Sequence, residues 1–81
     1  MVTLDELKTG EKAIIEVFET KNLPFKLIEM GCLPGSSVEL IHKAFLNDPL
    51  YIKIDESYLA IRRETAKEIF VRREIKIWVN P

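Results

Sequence analysis

The stretch SVELIHKAFLNDPLYIKIDESYLAIR, residues 37–62, decides the fold of this chain. It contains three segments in which apolar and polar residues alternate, and a period of two is the pattern of a half-buried β-strand. These segments are Ser37–Ala44, Leu50–Asp55 and Tyr58–Arg62. Turn-forming residues separate them at Asn47-Asp48-Pro49 and at Asp55-Glu56-Ser57. The second turn is short enough to predict an antiparallel hairpin.

The alternation also assigns a face to each side chain. In the first segment Val38, Leu40 and His42 are expected on one side of the sheet. In the second segment the apolar side is formed by Leu50, Ile52 and Ile54. Such faces are expected to pack together as the core.

Outside this stretch, Lys12–Phe18 and Ile69–Val71 also predict extended structure. Between them, Asn22-Leu23-Pro24 opens a short helix that Gly31 ends. Single helical turns are expected after the capping-box sequence Thr3-Leu4-Asp5-Glu6, where Leu4 and Leu7 share the inward face, and over Arg63–Glu68. The last residues alternate again and either continue the last strand or form one of their own.

These elements predict a mainly β fold with about five short antiparallel strands, one inserted helix and single helical turns. A small sheet hides its edges best by curling, which favours an SH3-like barrel. The pattern also fits an OB-fold or another small barrel. The predicted core is Ile15, Val17, Leu27, Val38, Leu40, Ile52, Ile54, Leu59, Ile61 and Ile69.

Length and composition restrict the class of protein. With 81 residues the chain is expected to form a single domain over 1–81, with 72–81 as an extended C-terminal tail. The single cysteine, the absence of an apolar run of roughly 18 residues, and an N-terminus unlike a signal peptide predict a cytoplasmic protein without membrane insertion. The charge is uneven, since residues 1–50 carry five Lys or Arg and eight Asp or Glu, and 51–81 carry seven and five.

The residues that carry catalytic or metal chemistry are few. Cys32 and His42 are the only sulfur and imidazole ligands, ten positions apart, with Glu29 as the nearest carboxylate to Cys32. A structural zinc site uses about four ligands at close spacings that are absent here. We therefore predict no intrinsic metal site and no cofactor, while a site shared between two copies stays open.

No nucleophile is placed for catalysis either. Cys32 follows a predicted helix C-terminus, where the dipole disfavours a thiolate, and no Gly-x-Ser-x-Gly elbow or phosphate-binding loop occurs. An enzyme is not expected. Basic and aromatic residues are interleaved only faintly in Tyr51–Arg63, so nucleic acid is not the expected partner.

The segment Glu29–Gly35 is the most informative candidate for binding. A helix ends at Gly31, and Pro34-Gly35 suits a type II turn into the next strand. Connections usually run over the surface, so the apolar residues here are expected to form an exposed contact site for a partner. The predicted contact residues are Met30, Cys32, Leu33 and Pro34. The alternative is that Leu33 folds back into the core.

The ordered set of motifs resembles the FeoA family over about residues 2 to 71. The pattern comprises a leucine pair before a glycine, a helix ending in Glu-Met-Gly, then Pro-Gly, Asp-Pro, Ala-Ile-Arg and Ala-x-x-Ile-x-Val. It is carried by Leu4, Leu7, Gly10, Leu27, Glu29, Met30, Gly31, Pro34, Gly35, Val38, Asp48, Pro49, Ala60, Ile61, Arg62, Ala66, Ile69 and Val71.

This resemblance implies an SH3-like barrel and a non-catalytic role in bacterial ferrous iron uptake. Its implied partner is the cytoplasmic part of FeoB, a membrane permease that carries a G-protein domain. Self-association is left open. Phe25-Lys26 stands where many relatives carry a basic pair, and Trp78 lies beyond the pattern. The alternatives are a C-terminal-type domain of an iron-dependent, DtxR-like repressor, or a small barrel that binds nucleic acid.

Overall fold

The computed structural model describes residues 2–18 and 24–74, with backbone only for Val17 and Phe18. In this part of the chain, two short α-helices and two 3-10 turns interrupt six strands. The strands are β1 Val2–Thr3, β2 Lys12–Phe18, β3 Ser37–Lys43, β4 Leu50–Ile54, β5 Ser57–Ile61 and β6 Ile69–Arg73. The helices are α1 Phe25–Glu29 and α2 Arg63–Ala66, and the 3-10 turns are Leu4–Glu6 and Phe45–Asn47.

All strands belong to one antiparallel sheet in the order β1-β6-β2-β3-β4-β5. The predicted β-rich fold with one inserted helix and a β4–β5 hairpin is confirmed. The additional strand is β1, which pairs Val2 with Val71 and Thr3 with Phe70. Two residues are too short to show a period, so only the pairing with β6 defines this strand.

The core lies on one face of the sheet, beneath the helices. Eight of the ten predicted core residues are buried, namely Ile15, Leu27, Val38, Leu40, Ile52, Ile54, Ile61 and Ile69. Leu59 is only partly buried, because β5 is the last strand of the described sheet. The side chain of Val17 lies outside the described part. Further buried residues are Leu4, Leu7, Ala13, Cys32, Leu50, Ala66 and Val71.

The face predicted for His42 is wrong. The β3–β4 register shifts between Leu40 and His42, so Ile41 is an additional residue on β3. A bulge of this kind reverses the faces of the residues that follow it, because the side-chain period is two. His42 is consequently exposed, whereas Val38 and Leu40 are fully buried.

Two hydrogen bonds fix the turns. The N–H of Thr3 donates to Glu6 Oε2 at 2.7 Å, as the capping-box sequence predicts. The N–H of Arg63, in the first turn of α2, donates to Asp48 Oδ1 at 3.1 Å. Asp48 therefore connects the β3–β4 loop to α2. The strand predicted within residues 75–79 lies outside the described residues.

Candidate functional site

The connection from α1 to β3 is built from two defined turns. At the end of α1 the N–H of Cys32 donates to the Leu27 carbonyl at 3.0 Å, and the N–H of Gly31 donates to Ile28 at 3.1 Å. With Gly31 at φ 100°, these two bonds form a Schellman motif. The connection, hereafter the Gly31–Gly35 loop, is thus held by backbone hydrogen bonds.

The second turn agrees with the type II prediction. Ser36 N–H donates to the Leu33 carbonyl at 3.0 Å, and Gly35 has φ 93°. Gly35 N–H also donates to the carbonyl of Ile15 at 2.7 Å, which attaches the loop to β2. The loop is therefore a rigid part of the sheet's surface.

Cys32 does not lie on the surface, which corrects the expectation that its side chain is exposed for contact with a partner. It has no exposed surface and belongs to the core cluster together with Leu27. The Schellman motif explains this placement, because its geometry folds the residue after the glycine back toward the last helical turn. Burial raises the pKa of the Cys32 thiol to about 11.

The other three predicted contact residues remain accessible to different degrees. Leu33 keeps 46% of its surface exposed, so it is not a core residue, and Pro34 is exposed. Met30 is half-buried and forms part of the wall of a groove. The structure therefore brings Met30, Leu33 and Pro34 to one end of α1, with Cys32 beneath them.

The groove lies between α1 and β5 and has a volume of about 400 Å³. On the helix side it is lined by Pro24, Lys26, Leu27 and Met30. On the opposite side it is lined by Tyr58, Leu59, Ala60, Ile61, Arg62 and Thr65. Most of these side chains are apolar, and concave apolar surfaces with few polar groups are typical of binding sites.

Sequence patterns alone did not find this groove. Tyr58 is 68% exposed, and the Nζ of Lys53 lies 5.5 Å from the centre of its ring. The interleaved basic and aromatic residues of Tyr51–Arg63 indicated only a faint nucleic-acid-binding pattern and not a groove. Only the position of α1 opposite β5 makes this surface a groove, and that position depends on contacts between distant parts of the chain.

The residues with ligand chemistry are not brought together. His42 is exposed on β3, Cys32 is buried under α1, and Glu29 is exposed on α1. Within residues 2–18 and 24–74, no group of three or more His, Cys, Asp or Glu is placed to hold a metal ion. In the same part of the chain, no helix is long and apolar enough to cross a membrane.

The fold and the site define a class of protein. In the described residues, a six-stranded antiparallel sheet with one inserted helix and an apolar surface groove forms a small SH3-like domain. A related FeoA structure is likewise described as an SH3 domain protein. The family model for the FeoA domain matches residues 2–73. The chain therefore belongs to the FeoA family.

Two relatives illustrate the range of this family. A putative Fe(2+) transport protein A of Campylobacter jejuni is 34% identical over 71 residues, which are 86% of this chain and 96% of the relative. An Fe(2+) transport protein A/Fe(2+) transporter FeoB fusion protein of Porphyromonas gingivalis is 36% identical over 69 residues. Those residues are 84% of this chain but only 8% of the fusion protein.

Solved structures agree with this assignment. The Stenotrophomonas maltophilia FeoA complexed with zinc, described as a prokaryotic SH3 domain protein, matches with a TM-score of 0.75 and 25% identity over 88% of this chain and 89% of that one. A manganese-dependent transcriptional repressor matches with a TM-score of 0.78 over 89% of this chain and 41% of the repressor. Its identity is 12%, so the repressor shares the fold alone.

Proposed function

We propose that this domain is a non-catalytic accessory protein of ferrous iron uptake that binds the cytoplasmic part of a FeoB-like permease. The observation that carries the proposal is the fusion protein of Porphyromonas gingivalis, in which a segment similar to this chain is joined to FeoB. Covalent linkage keeps two modules at a high effective concentration, which favours modules that act on each other. A cytoplasmic location follows from this partner.

Two features of the site support a binding role over catalysis. The thiol of Cys32 is buried with a raised pKa, whereas catalytic cysteines have lowered pKa values and access to substrate. The accessible features are apolar, namely the groove and the exposed part of Leu33. Apolar groups on a rigid support are what the centre of a small interface needs.

The experiment is a titration of the full chain against the soluble N-terminal part of FeoB from the same genome. It is carried out without nucleotide, with GDP and with a non-hydrolysable GTP analogue. Saturable binding in at least one of these states is expected. Absence of binding in all three states would refute the proposal.

A substitution at Leu33 tests whether the Gly31–Gly35 loop is part of the contact. Because Leu33 is partly exposed, Leu33→Asp is expected to retain a near-native melting temperature and to weaken binding at least tenfold. The matched control is Phe45→Asp, since Phe45 is 87% exposed. The two sites lie at opposite ends of β4, since Phe45 precedes Leu50 whereas Gly31 lies against Ile54. Unchanged binding by the folded Leu33 variant would exclude the loop from the interface.

A further inference from the structure

We propose that the groove between α1 and β5 binds an extended, acidic and apolar segment of the partner, which pairs with β5 as an additional strand. The inference rests on the proposed function and specifies how the partner is recognised. It is carried by two independent features of the groove, the hydrogen-bonding state of β5 and the charge of the lining residues.

Within residues 2–18 and 24–74, the backbone of β5 is available for pairing along one edge. β5 is a terminal strand of the sheet and pairs only with β4 among the described strands. A two-residue turn, Asp55-Glu56, joins the two strands, so Ile54 and Ser57 form the hydrogen-bonded pair that closes the hairpin. Since hydrogen-bonded and non-hydrogen-bonded pairs alternate, Leu59 and Ile61 also bond to β4.

The two residues that alternate with Ser57, Leu59 and Ile61 have their backbone groups on the opposite side of the strand. The N–H and C=O of Tyr58 and Ala60 are therefore directed away from β4, toward the free edge. Within residues 2–18 and 24–74, no backbone or side-chain group hydrogen bonds to them. An edge of this kind is a template for a strand from another chain.

The groove beside this edge selects the side chains of the added strand. Leu27, Met30 and Leu59 give it apolar walls. In an extended segment successive side chains point to opposite faces, so every second residue faces the groove. Apolar residues at those alternate positions would fill it.

The charges at the groove favour acidic residues in the bound segment. Lys26 on the α1 side and Arg62 on the β5 side both line it, and no carboxylate does so among the described residues. The neighbouring Lys53 lies against Tyr58 and adds a third cation at this surface. Lys26 and Arg62 are both exposed, so their charged ends can meet Asp or Glu that flanks the apolar residues of the segment, whereas a basic segment is repelled.

The first test removes one outward N–H of β5. Ala60→Pro lacks that donor but leaves the β4–β5 ladder intact, since proline is tolerated where the N–H faces away from the sheet. The matched control is Ala60→Ser, which is small and keeps the N–H. Melting temperatures of both variants verify that they fold. For the soluble N-terminal part of FeoB, Ala60→Pro is expected to weaken binding at least tenfold and Ala60→Ser less than about twofold.

The second test addresses charge. The double variant Lys26→Glu with Arg62→Glu is expected to lower affinity for the same FeoB fragment at least tenfold at physiological salt. Lys67→Glu is the control, because Lys67 is an exposed cation that does not line the groove. It is expected to change the affinity less than about twofold.

Hydrogen exchange then identifies the mode of binding. In the free protein the amides of Tyr58 and Ala60 are expected to exchange rapidly, and in the FeoB complex at least tenfold more slowly. The amide of Leu59, which already bonds to β4, is the internal control and is expected to be protected in both states. Protection of Tyr58 and Ala60 in the free protein would show that the chain itself, or a second copy, occupies the edge, which would overturn the proposal.

The outcomes separate this inference from the proposed function. Binding of the FeoB fragment that is unaffected by folded Ala60→Pro and by the charge reversal would overturn the groove inference and leave the proposed function standing. No binding of the fragment by the unmodified chain in any nucleotide state would refute both.

Discussion

At the scale of single residues, Cys32 shows how a local motif sets chemical behaviour. Gly31 ends α1 in a left-handed conformation, and the chain then places the thiol in the core. Without water to solvate the thiolate, the pKa of Cys32 is raised to about 11. At neutral pH the group is therefore a protonated, inaccessible thiol.

We predict that Cys32 reacts with an aromatic disulfide reagent much more slowly in the native protein than in strong denaturant at the same pH. A raised pKa in the folded state also means that the unfolded chain loses its proton first as pH rises. The free energy of unfolding should thus fall between about pH 9 and pH 11. Cys32→Ala should lack this part of the decrease, which denaturant titrations at several pH values measure. Native labelling as fast as in denaturant would contradict the burial.

Leu46 presents a different residue-scale feature, a large apolar side chain in an unfavourable conformation. It lies in the left-handed region at φ 63° and ψ 22° and is 74% exposed. Left-handed backbone costs an L-residue roughly 1–2 kcal/mol. Because the side chain is exposed, burial offsets little of this conformational cost.

We predict that Leu46→Asn raises the free energy of unfolding by about 0.5–1 kcal/mol, because asparagine tolerates the left-handed region better than leucine. The neighbouring Asn47, at φ 60°, already occupies that region. The control is Phe45→Asn, since Phe45 is also exposed but lacks a positive φ. Urea denaturation of the three proteins provides the comparison. A loss of stability in the Leu46 variant would show that its side chain makes contacts that offset the strain.

At the scale of elements, position in the sheet decides how much a strand contributes to the core. β4 lies between β3 and β5 and buries all three of its inward side chains, whereas β5 is the last of the described strands in the sheet. The cross-strand pair Ile52 and Leu59 makes this difference explicit. Ile52 is fully buried and Leu59 only partly so.

We predict that Ile52→Ala lowers the free energy of unfolding by about 2–5 kcal/mol, the range for truncation of a fully buried aliphatic side chain. Leu59→Ala should lower the free energy of unfolding less, by about 1–2 kcal/mol. Part of Leu59 is already exposed to the groove, so the truncation removes less buried apolar surface. Chemical denaturation of both variants tests the ranking. Equal losses would mean that β5 is packed as tightly as β4.

At the scale of the whole molecule, the two sulfur and imidazole ligands, Cys32 and His42, lie in separate parts of the fold. Bulging at Ile41 exposes His42, while the turn after α1 buries Cys32. A metal site requires several ligands converging on one point, and among residues 2–18 and 24–74 no such group of three exists.

We predict that the purified protein binds no stoichiometric Fe(II) under anaerobic conditions. Calorimetry and elemental analysis measure this directly, with a chelator-treated sample as the control. One tightly held iron per chain would contradict the prediction. Weak zinc held between two copies would not, because such a site draws its ligands from both chains.

The sequence by itself determined five of the six described strands, the turns and the family. A period of two reports which side chains face the core, as in Leu50, Ile52 and Ile54, and the Pro34-Gly35 turn follows from residue chemistry. These features depend on residues close together in the chain. These features can therefore be predicted from the sequence alone.

Only the tertiary structure decided the face of His42, the burial of Cys32, and the groove with its open edge at Tyr58. A bulge reverses the face of His42, but it is defined by pairing with β4 rather than by composition. The Schellman motif turns Cys32 toward the core, but its burial requires the distant strands that form that core, and the groove requires α1 to lie opposite β5. Each of these depends on contacts between residues far apart in sequence, whose geometry no local period encodes.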